Sequence, residues 1–218
     1  MVGTMKLVLY DYFRSSASYR VRIALNLKGV DYERVPIDLL DSAQKRADYR
    51  ARNPQGFVPM LEVDGRPIIQ SLAIMSWLEA TLPDPPLLPS DPDARAHVLA
   101  LALIVACDIH PLNNLRVLKR LKALGIDEEA RDDWYRHWVV EGLTALEALA
   151  APRAGRFLFG DAVTMADICL VPQMYNARRF EVPLDAYPTL VRADAEATQL
   201  EAFAAAHPDR VAPAPANG

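Results

Sequence analysis

Three serines lie close together near the start of the chain, at Ser15, Ser16 and Ser18, and they follow a short apolar run at residues 7–10. A helical pattern begins at these serines and stops at Gly29, so the hydroxyls lie where a strand gives way to the first turn of a helix. Free backbone N–H groups and the positive end of the helix dipole favour an anion there. The hydroxyls can therefore cap the helix or hold a bound anion such as a thiolate.

Basic residues flank this cluster, with Arg14 before it and Arg20 and Arg22 after it. Positive charge at a helix start opposes the helix dipole, and a bound anion would offset that unfavourable interaction. The alternative for each arginine is an ordinary solvated or paired charge. The cluster and its flanks are thus a candidate anion site.

Two further segments lie where a strand pattern is interrupted or a helix begins, and they are also candidate binding segments. Pro59 lies inside a strand pattern, where it removes a ladder donor. Either a cis Val58–Pro59 bond exposes the backbone of Val58 to a peptide-like ligand, or a trans proline lies in an edge strand. Gln70 and Ser71 begin the next helix, where Ser71 can cap the helix or the first turn can hold a carboxylate. All three segments are expected on one edge of a small sheet.

The second half of the chain offers weaker candidates. A polar segment at residues 108–116 interrupts a helical pattern, and Arg178 and Arg179 lie near the end of a later helix. The four histidines show no metal-binding spacing, so no metal site is expected. Cys107 and Cys169 lie in apolar helical stretches and are predicted to be buried.

The elements that position these residues change near residue 85. Before it, strands near 5–10, 30–37, 58–63 and 67–69 alternate with helices near 16–28, 42–51 and 71–81, and Asp64 and Gly65 form a turn between the last two strands. This order predicts a small α/β sheet of mixed direction. Five prolines at positions 83–92 predict a stiff linker. Helices near 93–124 (broken or kinked near Pro111), near 127–150 and from Thr164 onward follow. We therefore predict an α/β domain at 5–83, a linker at 84–90 and an all-helical domain at 91–212, with a frayed tail.

Bulk composition limits the function classes. The chain has 218 residues, a formal net charge of −4 and no basic block, which argues against a nucleic-acid partner. No apolar run reaches the ~20 residues that a membrane span needs, and the N-terminus lacks the apolar core of a signal peptide. Two separated cysteines favour a reducing cytoplasm.

Several blocks, in order, resemble zeta-class glutathione transferases, the class of the maleylacetoacetate and maleylpyruvate isomerases. The blocks are residues 12–25, 53–59, 70–74, 108–119, 160–167 and 187–190, and the likeness runs from about residue 6 to about 210. The resemblance implies a thioredoxin-like N-terminal domain, an all-helical C-terminal domain that binds substrate, glutathione as cofactor and a homodimer. It also implies a glutathione-dependent cis–trans isomerase that converts a maleyl diketo acid into its fumaryl isomer.

The resemblance also implies roles for individual residues. Arg14 and Arg179 would hold the carboxylates of the substrate. Glutathione contacts would come from Ser15, Ser16, Ala17, Ser18, Tyr19, Arg20, Gln44, Val58, Gln70, Ser71, His110, Asn114, Leu115 and Arg116. The family often has Gln at the position of His110.

One departure sharpens the chemistry. Many family members carry Cys where this chain has Ala17, and Ser15 and Ser18 stand where thiol oxidoreductases of this fold carry a CxxC pair. Serine cannot exchange disulfides, so dithiol redox chemistry is excluded at this site. The reactive sulfur must then come from glutathione, with Ser15 as hydrogen-bond donor to the thiolate and Ser16 assisting.

Two other functions use the same residues. One is a general glutathione transferase or dehalogenase acting on small haloacids, which would consume glutathione. The other is a non-catalytic binding protein with the same fold. The choice between maleylacetoacetate and maleylpyruvate is not determined by these residues.

Overall fold

The computed structural model describes residues 5–213, which form two compact units. Of the described residues, unit 1 contains 5–85 and 201–213, whereas unit 2 is Pro86–Leu200. Every helix within the described residues is too short or too polar to cross a bilayer. Most of the N-terminal segment considered as a signal peptide, and most of the tail predicted to fray, lie outside the described residues.

Unit 1 is built on a four-stranded sheet in the order β2-β1-β3-β4. Strand β1 pairs in parallel with β2 and antiparallel with β3, and β3 pairs antiparallel with β4. The elements are, in chain order, β1 (Leu7–Asp11), α1 (Ser16–Leu27), β2 (Glu33–Pro36), a 3-10 turn (Ala43–Lys45), α2 (Ala47–Arg52), β3 (Met60–Val63), β4 (Arg66–Ile69) and α3 (Ser71–Thr81). This arrangement confirms the predicted mixed sheet and its thioredoxin-like pattern.

The hairpin between β3 and β4 forms at the predicted turn. Asp64 and Gly65 have φ angles of 48° and 82°, the left-handed pair that a tight hairpin connection requires. Every residue of β1 is buried, as expected for a strand paired on both sides. Strand β2 is shorter than predicted because residues 30–32 and Ile37 fall outside the ladder.

Unit 2 is helical, as predicted. Its elements are α4 (Pro92–Leu103), a π-helical segment (Ile104–Ile109), α5 (Leu115–Ala123), α6 (Glu128–Ala150), α7 (Met165–Arg179) and α8 (Pro188–Thr198). The break predicted near Pro111 lies between the π-helical segment and α5, where proline cannot continue the helical hydrogen bonds. Cys169 is buried as predicted, whereas the prediction for Cys107 was wrong because its helix turns that side chain to solvent.

The C-terminal helices pack differently from the sequence-based grouping. Helices α9 (Glu201–Ala206) and α10 (Pro208–Val211) lie in unit 1, although residues up to 212 were grouped with the helical domain. The cause is a set of contacts with α1: Asn26 Nδ2 donates to Ala202 O at 2.9 Å, and Arg22 Nε donates to Ala206 O at 3.0 Å. The last helices therefore complete the first unit.

Candidate active site

Strand register brings the three predicted segments of unit 1 to one end of the sheet. Tyr10 near the end of β1 pairs with Met60 at the start of β3, and Met60 pairs with Ile69 at the end of β4. The chain therefore leaves β1 toward Ser15, enters β3 from Val58 and leaves β4 toward Gln70 at the same edge. The expectation that these segments share one edge is met in this geometry.

Ser15 caps helix α1 and still has a hydrogen to donate. Its backbone is extended (φ −70°, ψ 119°), and its Oγ accepts a hydrogen bond from Ser18 N at 3.2 Å. A hydroxyl carries one donor hydrogen besides its acceptor lone pairs. Because capping uses only the acceptor side, the two alternatives left open by the sequence, capping and thiolate binding, are compatible in one side chain.

The first turn of α1 has no negative charge of its own to balance the positive end of the helix dipole. It contains no acidic residue, so no carboxylate of that turn faces the N–H groups. Ser16 is buried at this end, Ala17 is half-buried, and Ser18 and Tyr19 are buried within the helix. The positive end of the helix is thus left for an anion from outside that turn.

The three arginines around this turn have different roles. Arg14 is exposed, with its guanidinium 5.1 Å from the Phe13 ring, and forms no ion pair within residues 5–213. Arg22 is fully buried and pairs with Asp11 at 2.7 Å. Its other bonds include one from Nη2 to Phe13 O at 3.0 Å. Burial lowers the pKa of Arg22, with the Asp11 carboxylate opposing that shift. An anion-offset role is therefore wrong for Arg22, which is a paired charge fixing the loop before Ser15.

Helix α3 starts beside Arg20. The Arg20 guanidinium is buried, and its Nη1 donates to Ser71 Oγ at 3.4 Å. Gln70, not Ser71, is the N-cap residue, and it makes no side-chain cap bond, so the capping interpretation of Ser71 was wrong. The φ angle of Gln70 is 72°, a conformation that is strained for a residue other than glycine. Gln70 Nε2 donates to Gln55 Oε1 at 2.7 Å.

In the loop before β3, the backbone next to Val58 is fixed by hydrogen bonds from two side chains. The Val58–Pro59 bond is cis, the first of the two alternatives. The carbonyl of Phe57 accepts hydrogen bonds from Tyr49 Oη at 2.6 Å and from Asn53 Nδ2 at 2.8 Å. Sequence reasoning missed both donors; the only signal was the position of Asn53 at the head of the block at residues 53–59.

Gln44 lies in the 3-10 turn against this loop. Its Oε1 is buried and has no hydrogen-bond partner within the described residues. A Cβ at Gly56, whose φ is +59°, would lie 2.7 Å from Gln44 O, so only glycine allows the two segments to approach this closely. The unsatisfied amide oxygen fits a role in accepting a hydrogen bond from a ligand.

The candidates of unit 2 lie around the start of α5 and the end of α7. His110 is half-buried after the π-helical segment, and Leu115 and Arg116 are exposed in the first turn of α5. Asn114 caps that helix, with Oδ1 accepting from Arg116 N at 3.1 Å. The first turn of α5 has no acidic residue, so no carboxylate of that turn would repel an anion at the positive end of this helix.

Arg179 ends helix α7 as an exposed charge on an aromatic support. Its guanidinium lies 5.8 Å from the Tyr175 ring and 5.9 Å from the Phe180 ring. The Phe180 ring stacks on Tyr135 with centroids 3.5 Å apart. No ion pair of Arg179 is present between described residues, whereas its neighbour Arg178 pairs with Asp194 at 2.5 Å. Arg179 is thus the arginine of this pair that can bind a ligand carboxylate.

The arrangement of polar groups in unit 1 fits a tripeptide thiol. The described residues contain no group of three or more His, Cys, Asp or Glu side chains that could hold a metal ion. Unit 1 instead offers a hydroxyl donor at an open helix start, a held backbone segment and an unsatisfied amide oxygen. These features match the thiol, the peptide groups and the charged ends of glutathione.

Comparison with protein families gives two matches in the order of the two units. The N-terminal domain of glutathione S-transferase matches residues 5–80, and the C-terminal domain of glutathione S-transferase matches residues 128–208. Maleylacetoacetate isomerase of Rhizobium meliloti (strain 1021) is 52% identical over 208 residues, which cover 94% of this chain and 98% of the relative.

Solved structures give the same picture. One is described as the holo structure of maleyl pyruvate isomerase, a bacterial glutathione S-transferase in the zeta class; it is 48% identical with a TM-score of 0.91, covering 93% of this chain and 97% of that one. Another is maleylacetoacetate isomerase from Anaeromyxobacter dehalogenans 2CP-1, with dicarboxyethyl glutathione and citrate bound in its active site. That structure is 47% identical with a TM-score of 0.88, covering 97% of this chain and 99% of that one.

Proposed function

The chain belongs to the zeta class of the glutathione S-transferase family, and on that premise we propose that it is a glutathione-dependent cis–trans isomerase. Its substrate class is a maleyl diketo acid, maleylacetoacetate or maleylpyruvate, and the product is the fumaryl isomer. The observation that carries the proposal is Ser15, whose hydroxyl caps an open helix start through its oxygen and keeps its hydrogen for a thiolate.

Ser15 is the residue that keeps the cofactor sulfur ionised. A free thiol with a pKa of about 8.5 is only a few per cent ionised at neutral pH. A hydrogen bond to the charged form lowers that pKa, and each unit corresponds to about 1.4 kcal/mol. The helix start acts in the same direction, and Ser16 assists as a second hydroxyl at this end.

The other contacts hold the cofactor in place. We assign most of the glutathione contacts to the α/β domain at 5–83, and substrate binding to the helical domain predicted at 91–212, without α9 and α10, which pack in unit 1. The contacts in unit 1 are Ser15, Ser16, Ala17, Ser18, Tyr19, Arg20, Gln44, Val58, Gln70 and Ser71. Those in unit 2 are His110, Asn114, Leu115 and Arg116. Val58 contributes its backbone, which can pair with a peptide as a strand edge does.

Arg14 and Arg179 hold the carboxylates of the substrate. Both are exposed and form no ion pair within the described residues, and a guanidinium binds a carboxylate in two-pronged fashion. Fixing the carboxylates fixes the double bond relative to the sulfur. Arg14 and nearby N–H groups stabilise negative charge that develops on the diketo oxygens.

When bound, glutathione would supply a thiolate that can add to the cis double bond; the carbon–carbon bond would then be single and could rotate before the thiolate leaves, so the cofactor would be regenerated. The chain itself offers no thiol at this point, because Ala17 stands at the helix start and Ser15 and Ser18 cannot form disulfides. The protein therefore orients glutathione and the substrate and stabilises the negative charges on the sulfur and on the diketo oxygens. It forms no covalent bond to either ligand.

Catalytic amounts of glutathione test the isomerase. We expect many turnovers of maleylpyruvate or maleylacetoacetate per glutathione, with the free thiol unchanged at the end. A general transferase would instead consume glutathione and conjugate an alkyl halide. Robust conjugation without isomerisation would refute the proposal, and failure to bind glutathione would indicate a non-catalytic binding protein.

Arg179→Ala tests the substrate clamp. We expect KM for the diketo acid to rise roughly tenfold or more, as for loss of a charge-assisted hydrogen bond, with glutathione affinity unchanged. Arg178→Ala is the matched control, because it removes the same charge one residue away but breaks only the pair with Asp194. Equal KM effects in both variants would contradict a specific role for Arg179.

We further infer that the protein works as a homodimer in the cytoplasm. The dimer follows the family resemblance, and the location follows the chemistry, since a reducing compartment keeps glutathione as the free thiol. Sedimentation at micromolar protein concentration tests the assembly: a single species at monomer mass would contradict it.

A further inference from the structure

Two buried side chains converge on one backbone carbonyl immediately before Val58. Tyr49 Oη lies 2.6 Å from Phe57 O, and Asn53 Nδ2 lies 2.8 Å from the same oxygen. Tyr49 is 2% exposed and Asn53 is 1% exposed. A carbonyl oxygen has two lone pairs, so this oxygen can have both of its acceptor positions filled from the interior.

The direction of the Phe57 carbonyl determines the direction of the Val58 N–H. Both belong to one peptide group, which is planar. The Phe57–Val58 bond is trans, whereas the next bond, Val58–Pro59, is cis. In a trans peptide the C=O and N–H point in opposite directions, so a carbonyl turned inward directs the following N–H away from Tyr49 and Asn53.

The two donors are themselves firmly placed. Tyr49 belongs to the buried cluster of Val8, Tyr10 and Met60, and Val58 packs against that same cluster. Asn53 ends helix α2, with its N–H donating to Tyr49 O at 2.9 Å. Because both donors are anchored on α2 and the sheet, they hold the peptide group against a rigid support.

We propose that Tyr49 and Asn53 are positioning residues that clamp the Phe57 carbonyl and thereby aim the Val58 N–H at the peptide backbone of the cofactor. The inference rests on the proposed function, which gives Val58 a contact with glutathione. Hydrogen bonds in a chain polarise one another, so a carbonyl with two donors also makes the Val58 N–H a stronger donor. The clamp acts on affinity for glutathione and leaves the sulfur to Ser15.

The clamp is insensitive to pH over the range of an enzyme assay. Burial raises the pKa of Tyr49 to about 12, with the Asn53 hydrogen bond opposing that shift. The phenol therefore stays protonated and keeps donating well above neutral pH. This behaviour separates the clamp from Ser15, which acts on the ionisation of the thiol.

Tyr49→Phe tests the clamp, because it removes the hydroxyl and keeps the ring in the core. We expect Kd for glutathione to rise roughly two- to tenfold, as for one lost hydrogen bond, by the same factor at about pH 6 and about pH 9. The pKa of the bound thiol stays unchanged. Titration calorimetry gives Kd, and ultraviolet titration of the thiolate gives the pKa.

Tyr10→Phe is the matched control, because it makes the same chemical change in the same buried cluster. Its hydroxyl bonds to Arg52 and not to the Phe57 carbonyl, so we expect native affinity for glutathione. Asn53→Ala removes the second donor independently and keeps the proposal testable where Tyr49→Phe does not fold. An amide NMR spectrum adds a direct readout: the downfield shift of the Val58 N–H on glutathione binding decreases in both clamp variants.

The outcomes separate the clamp from the proposed function. If native protein fails to bind glutathione, the proposed function and the premise of the clamp both fall. If native protein binds but both clamp variants bind equally well, the clamp alone is wrong. Equal weakening by Tyr10→Phe also overturns the clamp, because it reveals a general effect of core packing. Weakening confined to Tyr49→Phe and Asn53→Ala supports it.

Discussion

Helices α1 and α7 both have a hydroxyl residue at the N-cap, but only α7 has a carboxylate in its first turn. Ser15 caps α1, and the first turn of that helix has no acidic residue. Thr164 begins α7, and three residues later the Asp167 carboxylate accepts from Thr164 N at 2.8 Å and from Thr164 Oγ1 at 3.0 Å. The same carboxylate accepts from Leu158 N at 2.8 Å.

The difference separates a helix start that is closed by a carboxylate of the chain from one that we propose binds a ligand. Asp167 is fully buried, and burial raises the pKa of its carboxyl, although its hydrogen bonds oppose that shift. Three donors on one buried carboxyl close the start of α7 with the chain's own atoms. The start of α1 keeps its positive potential, and a thiolate from glutathione can take the place that Asp167 takes in α7.

The largest effect is expected from opening the closed helix start. Asp167→Ala leaves the N–H groups of Thr164 and Leu158 buried without a partner, and each such orphan costs about 1–3 kcal/mol. We expect the free energy of unfolding to fall by about 3 kcal/mol or more in chemical denaturation. Asp161→Ala is the control, because Asp161 is exposed and, within residues 5–213, accepts one hydrogen bond, from Arg156 N. A loss no greater than in that control would mean that α7 does not depend on its internal carboxyl.

Removing the hydroxyl from the open helix start changes chemistry more than stability. In Ser15→Ala the thiolate loses a donor, and hydrogen bonds to charged groups are worth about 1.5–3 kcal/mol, or about 1–2 pKa units. The pKa of bound glutathione rises, so turnover at neutral pH falls roughly tenfold or more and recovers as pH is raised. Ser15→Thr keeps the hydroxyl and should restore the native pH profile. An unchanged profile in Ser15→Ala would falsify the role of Ser15.

A carboxylate introduced into the first turn of α1 should make that turn resemble α7. Ala17→Asp places a negative charge where we propose that the thiolate binds, and like charges near a protein surface repel by about 1–4 kcal/mol. We expect glutathione affinity to fall roughly fivefold or more and the thiol pKa to rise, while stability is kept or slightly increased by the dipole. Ala17→Asn is the neutral isostere. If Asn weakens binding as much as Asp, the effect is steric and the electrostatic comparison fails.

The smallest effect concerns backbone strain at the start of α3. Thr164 has an ordinary extended backbone (φ −125°), whereas Gln70 at the start of α3 has a φ of 72°. Gln70→Gly should raise the free energy of unfolding relative to Gln70→Ala by about 1 kcal/mol, because only glycine adopts positive φ freely. Both variants lack the amide, so their difference isolates the backbone. Equal stabilities in thermal unfolding would show that no strain is held there.

Local signals in the sequence predicted most of the fold. Asp64 and Gly65 formed the expected hairpin turn, and the helix broke near Pro111, because both depend on the conformational limits of a few adjacent residues. The packing of α9 on α1 was not predictable, since it depends on Ala202 and Ala206 carbonyls far along the chain. Every residue has a backbone carbonyl, so the residue type does not show which carbonyl accepts a hydrogen bond.

The candidate site divides in the same way. The sequence predicts Ser15, Val58 and Gln70 as site residues because each interrupts a pattern where a strand ends or begins, and strand register brings them to one edge of the sheet. Arg22 was misjudged because the sequence shows a charge but not its partner Asp11. Tyr49 was missed because its hydroxyl acts on the backbone of another residue, Phe57. A side chain that acts by binding the backbone of another residue is recognised only in the three-dimensional structure.

The return of the C-terminal helices to unit 1 also sets the order in which the protein can mature during synthesis. Arg22 joins Phe13 O, in the loop before Ser15, to Ala206 O in α9. The sheet and α1 leave the ribosome early, but this link forms only after residues 201–206 have been added. The loop before Ser15 therefore gains this anchor to the C-terminal helices only near the end of synthesis.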